Sequence, residues 1–432
     1  MNHLRNAFLA IVAVAATTAV AVEPTEEVRR MAGNYYAYPY PANPLPELTA
    51  APEGYTPYHI EHYGRHGSRW HIGEHVYSRP VETLAKAEAA GKLTPRGQEL
   101  LAQLRVIAEK AVGRDGELTD IGAEQHRGIA QRMYANFPEV FADGSRVDAR
   151  STVVIRCILS MDNELQELKA ANPKLNITSD ASHADMKYMN RTDKLAKKSA
   201  ANADSLVRVF YSTHNYMGDF LPKLVTDTAW ANDSLNVPQL FGDLFIIAGN
   251  AQSHKDQKAP YDIFSDREIK ERWEYNNVSW FTDYGNMALT GHNAPFRQKN
   301  LLRNMVESAD TTIGSTFPSA NLRFGHEVVV LPLVTLMELD SFGDEINDLD
   351  QVASRWKNYD IFPMACNVQM IFYRPVDPKS DKPVLVKVLL NEKEAALPVK
   401  PVSRTSPYVR WSDLRDYYTK KLDAYDLKEQ PE

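Results

Sequence analysis

Residues 62–75, HYGRHGSRWHIGEH, bring His62, His66, His71 and His75 together with Arg65 and Arg69. Metal ligation and oxyanion binding make opposite demands on such a stretch. A divalent ion wants neutral imidazoles free of neighbouring cations, whereas a phosphate wants guanidinium forks. Arg65-His66-Gly67-Ser68-Arg69 sets one imidazole between two guanidiniums that stay charged at any pH, and Gly67 is expected to let the backbone pass close to a ligand. Cleaving a phosphate ester requires its charge to be held, a nucleophile opposite the leaving oxygen, and a proton for the departing alkoxide. Imidazole, with an unperturbed pKa of about 6.5, is nucleophilic once neutral. The pattern favours a phosphohistidine intermediate over metal catalysis. The competing enzyme reading is a metal-dependent hydrolase using His59, His62 and His66. His62, His71 and His75 otherwise read as hydrogen-bonded or solvated side chains.

The elements around this stretch must position it. Aromatic and β-branched residues from Tyr55 to Tyr63 predict a strand broken at Gly64, and Pro80–Gly91, Thr94–Ala111 and Thr119–Phe141 predict helices, the last capped by Thr119. A second junction, SRVDARSTVVIRCILSM, has an extended piece around Val147. A helix follows it, with Val154, Ile158, Met161, Leu165 and Leu168 on one face. Arg150 falls at that turn, and Arg156, six residues on, is a second candidate for an anion contact. At the third junction, ANLRFGHEVVVLPLVTLMEL, Pro332 argues against a central strand and fits the first turn of a helix. A strand is therefore expected to end near Gly325 and a helix to start near Glu327, with His326 and Glu327 at its mouth. Ligands of open α/β sheets bind at such strand-to-helix junctions, where helix N-termini favour anions.

From about Ser182 to Pro295 the texture becomes polar and helical, and strand character returns in NVQMIFYR and VLVKVLL, before a closing helix from Trp411 to Leu422. The expected fold is α/β, a mostly parallel central sheet flanked by helices. Residues 22–181 and 296–432 form its core, and 182–295 an inserted, mainly helical domain. Residues 1–21 have the order of a cleaved secretory leader, with Arg5, an apolar stretch and Ala19-Val20-Ala21, so a periplasmic or secreted protein without stable membrane insertion is expected. A net charge of −7 gives no general affinity for nucleic acid, so an anionic partner must be drawn by local cations. Two cysteines, Cys157 and Cys366, exclude a disulfide scaffold or cysteine-rich zinc module and leave their pairing open.

Arg65-His66-Gly67-Ser68-Arg69 resembles the RHGxR signature of the histidine acid phosphatases, branch 2 of the histidine phosphatase superfamily. ELTDIGAEQHRGIAQRMYANFPEVF is similar to the helix before that family's second active-site segment. VDARST resembles the segment with a third phosphate-binding arginine, and LRFGHEVVVLPL the distal His-Asp region. The four segments occur in order between about Tyr55 and Pro398. HYGRHGSR and RCILSM look most like bacterial multiple inositol polyphosphate phosphatases.

The resemblance implies that His66 attacks phosphorus, that Arg65, Arg69, Arg150 and His326 hold the phosphoryl oxygens, and that Glu327 gives the leaving oxygen its proton. It implies no metal and no cofactor, and a small anionic phosphate ester as partner, inositol polyphosphates such as phytate first and small phosphomonoesters generally as the alternative. The sequence departs from the pattern at His326-Glu327-Val328, where relatives carry His-Asp or His-Ala-Glu, and at Trp70, where many have proline. Lys187, Arg191 and Lys194 begin a basic run suited to the rim of a polyanion site, although charge runs are usually solvated helix faces. A non-catalytic phosphate receptor would keep the arginines, but a carboxylate at 327 weakens anion binding and makes sense mainly as a proton donor.

Overall fold

The structure, a computed structural model, describes residues 23–39, 47–315, 317–404 and 406–428; the expected leader lies outside them. The first predicted strand forms as β1 (Tyr55–Arg65), buried from Pro57 onward. Pro57 has no N–H for the ladder, and the register against one neighbour shifts between Pro57 and His59. With β2 (Arg146–Ser151), β3 (Asn176–Asp180), β4 (Ser319–Gly325), β5 (Asn367–Pro375), β6 (Leu385–Leu390) and β7 (Lys393–Glu394) it makes one sheet in the order β3-β2-β4-β1-β5-β6-β7, with β8 (Val409–Arg410) also on β6. β3, β2, β4 and β1 are mutually parallel, and the strands from β5 on extend the sheet antiparallel. Because Arg65 is in register with Gly325, and Ser151 with Phe324, the chain leaves three parallel strands side by side at their carboxyl ends.

The helices Asp120–Asn136 and Ile155–Ala171 cover one sheet face, where Ile129, Met133, Met161 and Leu168 meet Ile60, Ala320 and Leu322. Thr119 caps the first through Gly122 N as expected, but the helix stops at Asn136, short of Phe141, because Pro138 disfavours helical geometry before it. The other face carries Lys299–Ile313, Glu327–Met337 and Trp411–Lys428. Pro332 is the sixth residue of Glu327–Met337, beyond the first turn where it was expected. An interior proline costs about 3 kcal/mol. Every residue from Val329 to Met337 is buried, and each large apolar side chain contributes about 1.5–3 kcal/mol, so burial outweighs the lost hydrogen bond. Pro80 is likewise inside a helix, His75–Ala89, which begins five residues before the predicted start and is anchored by buried Val76 and Tyr77.

Among the described residues, all elements between β3 and β4 are helical. Among them, Val237–Asn250 packs through Leu240, Phe241 and Leu244 on the helices His75–Ala89 and Pro95–Ala111. Asp266–Tyr284, opened by a reciprocal Ser265/Glu268 cap, contributes Val278 and Phe281 to the cluster under the sheet. Cys157 and Cys366 are both free and buried, which answers the pairing left open by the sequence. No helix among the described residues is long and apolar enough to cross a membrane.

Candidate active site

His66 and His326 follow β1 and β4 directly, and His66 N donates to Gly325 O at 2.9 Å, so the two imidazoles leave adjacent parallel strands together. Their rings lie 5.8 Å apart at 71°. His66 Nδ1 donates to Gly67 O at 2.9 Å; a carbonyl can only accept, so the proton sits on Nδ1 and the Nε2 lone pair is free. Burial pushes the His66 pKa well below the usual histidine range, with Arg65 and Arg69 adding to the effect, and this keeps the ring neutral. Burial also lowers His326, to about 4, while Thr152 Oγ1 lies 3.2 Å from its Nε2.

The carboxylate of Glu327 occupies the space over the free nitrogen. Its Oε2 is 3.6 Å from His66 Nε2 and 3.2 Å from Arg65 Nε. Glu327 is also the first residue of its helix, where a negative charge is favoured by the unsatisfied N–H groups. Burial alone would raise its pKa, but the Arg65 guanidinium beside it, with Arg69 behind, outweighs burial and holds the carboxyl well below its ordinary value. Arg65 is fully buried, with Nη1 donating to Phe362 O at 2.9 Å and Nη2 left without a partner. Arg69 donates from Nη1 to Trp70 O at 2.9 Å, lies 5.7 Å over the ring of Tyr35, and leaves Nε unpartnered.

Gly67 makes room for the protein's own backbone. A Cβ at Gly67 would collide with the backbone of Gly122, and one at Gly122 with the backbone of Ser68, so paired glycines let the Asp120–Asn136 helix sit directly against the loop. That helix and its neighbour then grip the loop. Gly67 N donates to Ser160 Oγ at 3.1 Å, Ser68 N to Gln125 Oε1 at 2.9 Å, and Thr119 Oγ1 to Ser68 O at 3.1 Å.

The expectation for Arg150 is corrected. Arg150 lies within β2 rather than after it, and strand alternation sets it on the same face as Asp148, with which it forms an ion pair at 2.9 Å; Asp185 lies 3.8 Å away. Its cavity is shared with Tyr188, Asn304, Ser308 and Arg323, under a different part of the sheet. Arg156 stands with the site instead. It is the second residue of the helix after β2; its Nε is buried and unpartnered, and its charge is felt by His326 as those of Arg65 and Arg69 are. Arg65, Arg69 and Arg156 against Glu327 leave a net charge of two positive, which suits a phosphomonoester dianion.

His59 and His62 do not join His66. His59 is buried between Glu61 and Ser319, and His62 packs against Phe324. Among the described residues, the one group of three potential metal donors within 4.8 Å of one another is His66, His326 and Glu327. A divalent ion there would compete with Arg65 for Glu327 and add charge to three guanidiniums, so these residues suit an anion better. His75 is exposed, and the His71 ring lies 5.6 Å from that of Tyr35, tilted by 31°. Lys187, Arg191 and Lys194 are exposed on the stretch that leads from β3 into the helical region. Tyr35, missed in the sequence, lies 5.7 Å from the Arg69 guanidinium through tertiary folding alone, without a local motif.

No family model matches the sequence. The chain is similar to multiple inositol polyphosphate phosphatase 1 of Gallus gallus, 21% identical over 405 residues that cover 90% of this chain and 88% of that protein. It is also similar to the Homo sapiens protein of that name, 24% identical over 341 residues, 74% of this chain and 69% of that one. Its fold matches that of Bifidobacterium longum multiple inositol polyphosphate phosphatase, solved in complex with inositol hexasulfate, with a TM-score of 0.71, 18% identity and coverage of 90% of this chain and 97% of that one. A phytase from D. castellii matches with a TM-score of 0.65 and 14% identity, over 95% of this chain and 90% of the other.

Proposed function

We infer that this chain, a homologue of the multiple inositol polyphosphate phosphatases within the histidine acid phosphatase family, is a phosphatase of inositol polyphosphates such as phytate. The observation that carries the reading is the meeting of His66 Nε2 and Arg65 Nε at Glu327 Oε2, a free nucleophile and a guanidinium that face one carboxylate oxygen. A phosphoryl group would take the place that Glu327 now fills beside Arg65. His66 Nε2 would form a bond to phosphorus as the ester P–O bond breaks. Arg65, Arg69, Arg156 and His326 would hold the three remaining oxygens, and Glu327 would give its proton to the leaving alkoxide. In the second half Glu327 takes a proton from water, the oxygen adds to phosphorus, and the bond to Nε2 breaks. No step calls for a metal.

The free carboxylate must first gain a proton to act as an acid. Phosphate binding supplies the cause, because Arg65 turns from Glu327 to the ligand and a dianion arrives next to the carboxyl; both changes raise its pKa. We propose further that residues 182–295 form an inserted domain beside this core, that Lys187, Arg191 and Lys194 lie at the rim of the substrate, and that the leader directs the protein to the periplasm or outside the cell.

Two experiments test the reading. A time course of products from phytate, run with chelator beside a small aromatic phosphate, is expected to show stepwise dephosphorylation at a clearly higher kcat/KM for phytate. Equal values would leave a general acid phosphatase, and loss of activity with chelator would favour a metal enzyme. For the arginines, Arg156→Ala is expected to raise KM by about 100-fold, as for a lost charge-assisted contact of about 2.7 kcal/mol, and Arg150→Ala by less than about threefold. The reverse ranking would restore Arg150 to the site.

A further inference from the structure

The helix Val237–Asn250 belongs to the stretch between β3 and β4, yet its last residue touches the loop after His66. Asn250, 1% exposed, donates from Nδ2 to the carbonyl of Arg69 at 3.0 Å. Its orientation is fixed from the other side, since Tyr77 Oη donates to Asn250 Oδ1 at 2.9 Å and itself accepts from His71 N at 2.9 Å. Asn250 Nδ2 also lies 3.3 Å from Ser253 Oγ. The residue before it completes the arrangement. A Cβ added at Gly249 would sit 3.1 Å from Ala32 Cβ, so the helix end packs closely on the segment that carries Tyr35, whose ring lies under the Arg69 guanidinium.

Arg69 is therefore held at both ends by groups outside the RHGSR stretch, at its backbone by Asn250 and at its side chain by Tyr35. Its neighbours in the loop, Gly67 and Ser68, are held by the helices on the sheet. A buried amide orients its carbonyl partner only while its own oxygen is tied down, and the Tyr77 hydroxyl does this. We propose that Asn250 is a positioning residue for Arg69, through which the inserted helical stretch sets how tightly the site holds a phosphoryl group. The proposal rests on the reading of Arg69 as a phosphate ligand.

Asn250→Ala and the gentler Tyr77→Phe, which keeps the ring and removes only the hydroxyl, separate this role from a general one. Both are to be assayed for kcat and KM on a small aromatic phosphomonoester, and for inorganic phosphate binding by titration calorimetry. Asn250→Ala is expected to raise KM and the phosphate Kd together by about tenfold with kcat within about threefold, and Tyr77→Phe to raise both by about threefold. A merely structural role would lower the active fraction, and with it the apparent kcat, without moving KM or the phosphate Kd, and that result in either variant would overturn the proposal. Failure of the underlying reading is distinguishable, because Arg69→Ala would then leave KM and the phosphate Kd where they are in the unaltered protein.

Discussion

Replacing His66 with alanine is expected to lower kcat/KM on a phosphomonoester by at least about 10⁴-fold, while inorganic phosphate still binds within about tenfold of its original affinity. The two halves of this expectation come from different groups. On the proposed reading Nε2 bonds to phosphorus; it has no hydrogen-bond partner, and the proton on Nδ1 is fixed by Gly67 O. Removing it leaves no nucleophile, and residual catalysis comes only from charge stabilisation, as in other covalent mechanisms. On the proposed reading the phosphate, by contrast, is held by Arg65, Arg69 and Arg156, and the anchors of the first two, at Phe362 O and Trp70 O, do not involve the His66 ring. Steady-state kinetics with phosphate titration checks both. Turnover within tenfold of the unaltered enzyme would remove His66 from the mechanism.

Glu327→Gln is expected to lower kcat by about 10²–10³-fold on an alkyl phosphate such as an inositol phosphate, the usual range for loss of a general acid. The loss should be smaller on an aryl phosphate, whose phenolate leaves with less need of a proton. The same change is expected to tighten inorganic phosphate binding, because the carboxylate beside Arg65 and His66 Nε2 no longer opposes the anion. The sign of the pH dependence follows from the carboxyl pKa, low in the free enzyme and raised by the bound anion. A group whose pKa rises on binding takes up a proton, so the Glu327 contribution should tighten phosphate binding as pH falls through the raised value towards the low value of the free enzyme. Titration of phosphate itself adds a slope common to both proteins, and the difference between the unaltered enzyme and Glu327→Gln isolates Glu327. Parallel slopes in the two proteins would mean that Glu327 does not change protonation with the ligand.

The strand-to-helix junctions were legible because their signals are local. Gly64 and Gly325 near the strand ends, Thr119 as a cap, and the apolar face of Ile155–Ala171 each declare themselves within one or two turns of chain. The sequence sets Arg150 at a turn, whereas it is the fifth residue of the strand Arg146–Ser151, and a single step along a strand decides which face of the sheet a side chain meets. Arg156 had a usable signal, since it follows the start of its helix much as Glu327 opens its own. Gly67 signals a close approach of its backbone, but nothing local shows that the neighbour is Gly122, 55 residues away. Tyr35 and Asn250 were beyond reach for the same reason. The bond from Asn250 to Arg69 spans 181 residues, and no local propensity marks either partner.

The central claim is covalent attachment of phosphate to His66. Mixing the enzyme with a radiolabelled phosphomonoester and quenching in alkali within the first turnovers tests it directly, because a phosphoramidate at histidine survives base and is lost in acid. The account predicts labelling that approaches one phosphate per chain, stable in alkali, released by acid, and absent from His66→Ala. Steady turnover without such label, or label of the same stability persisting in His66→Ala, would contradict it.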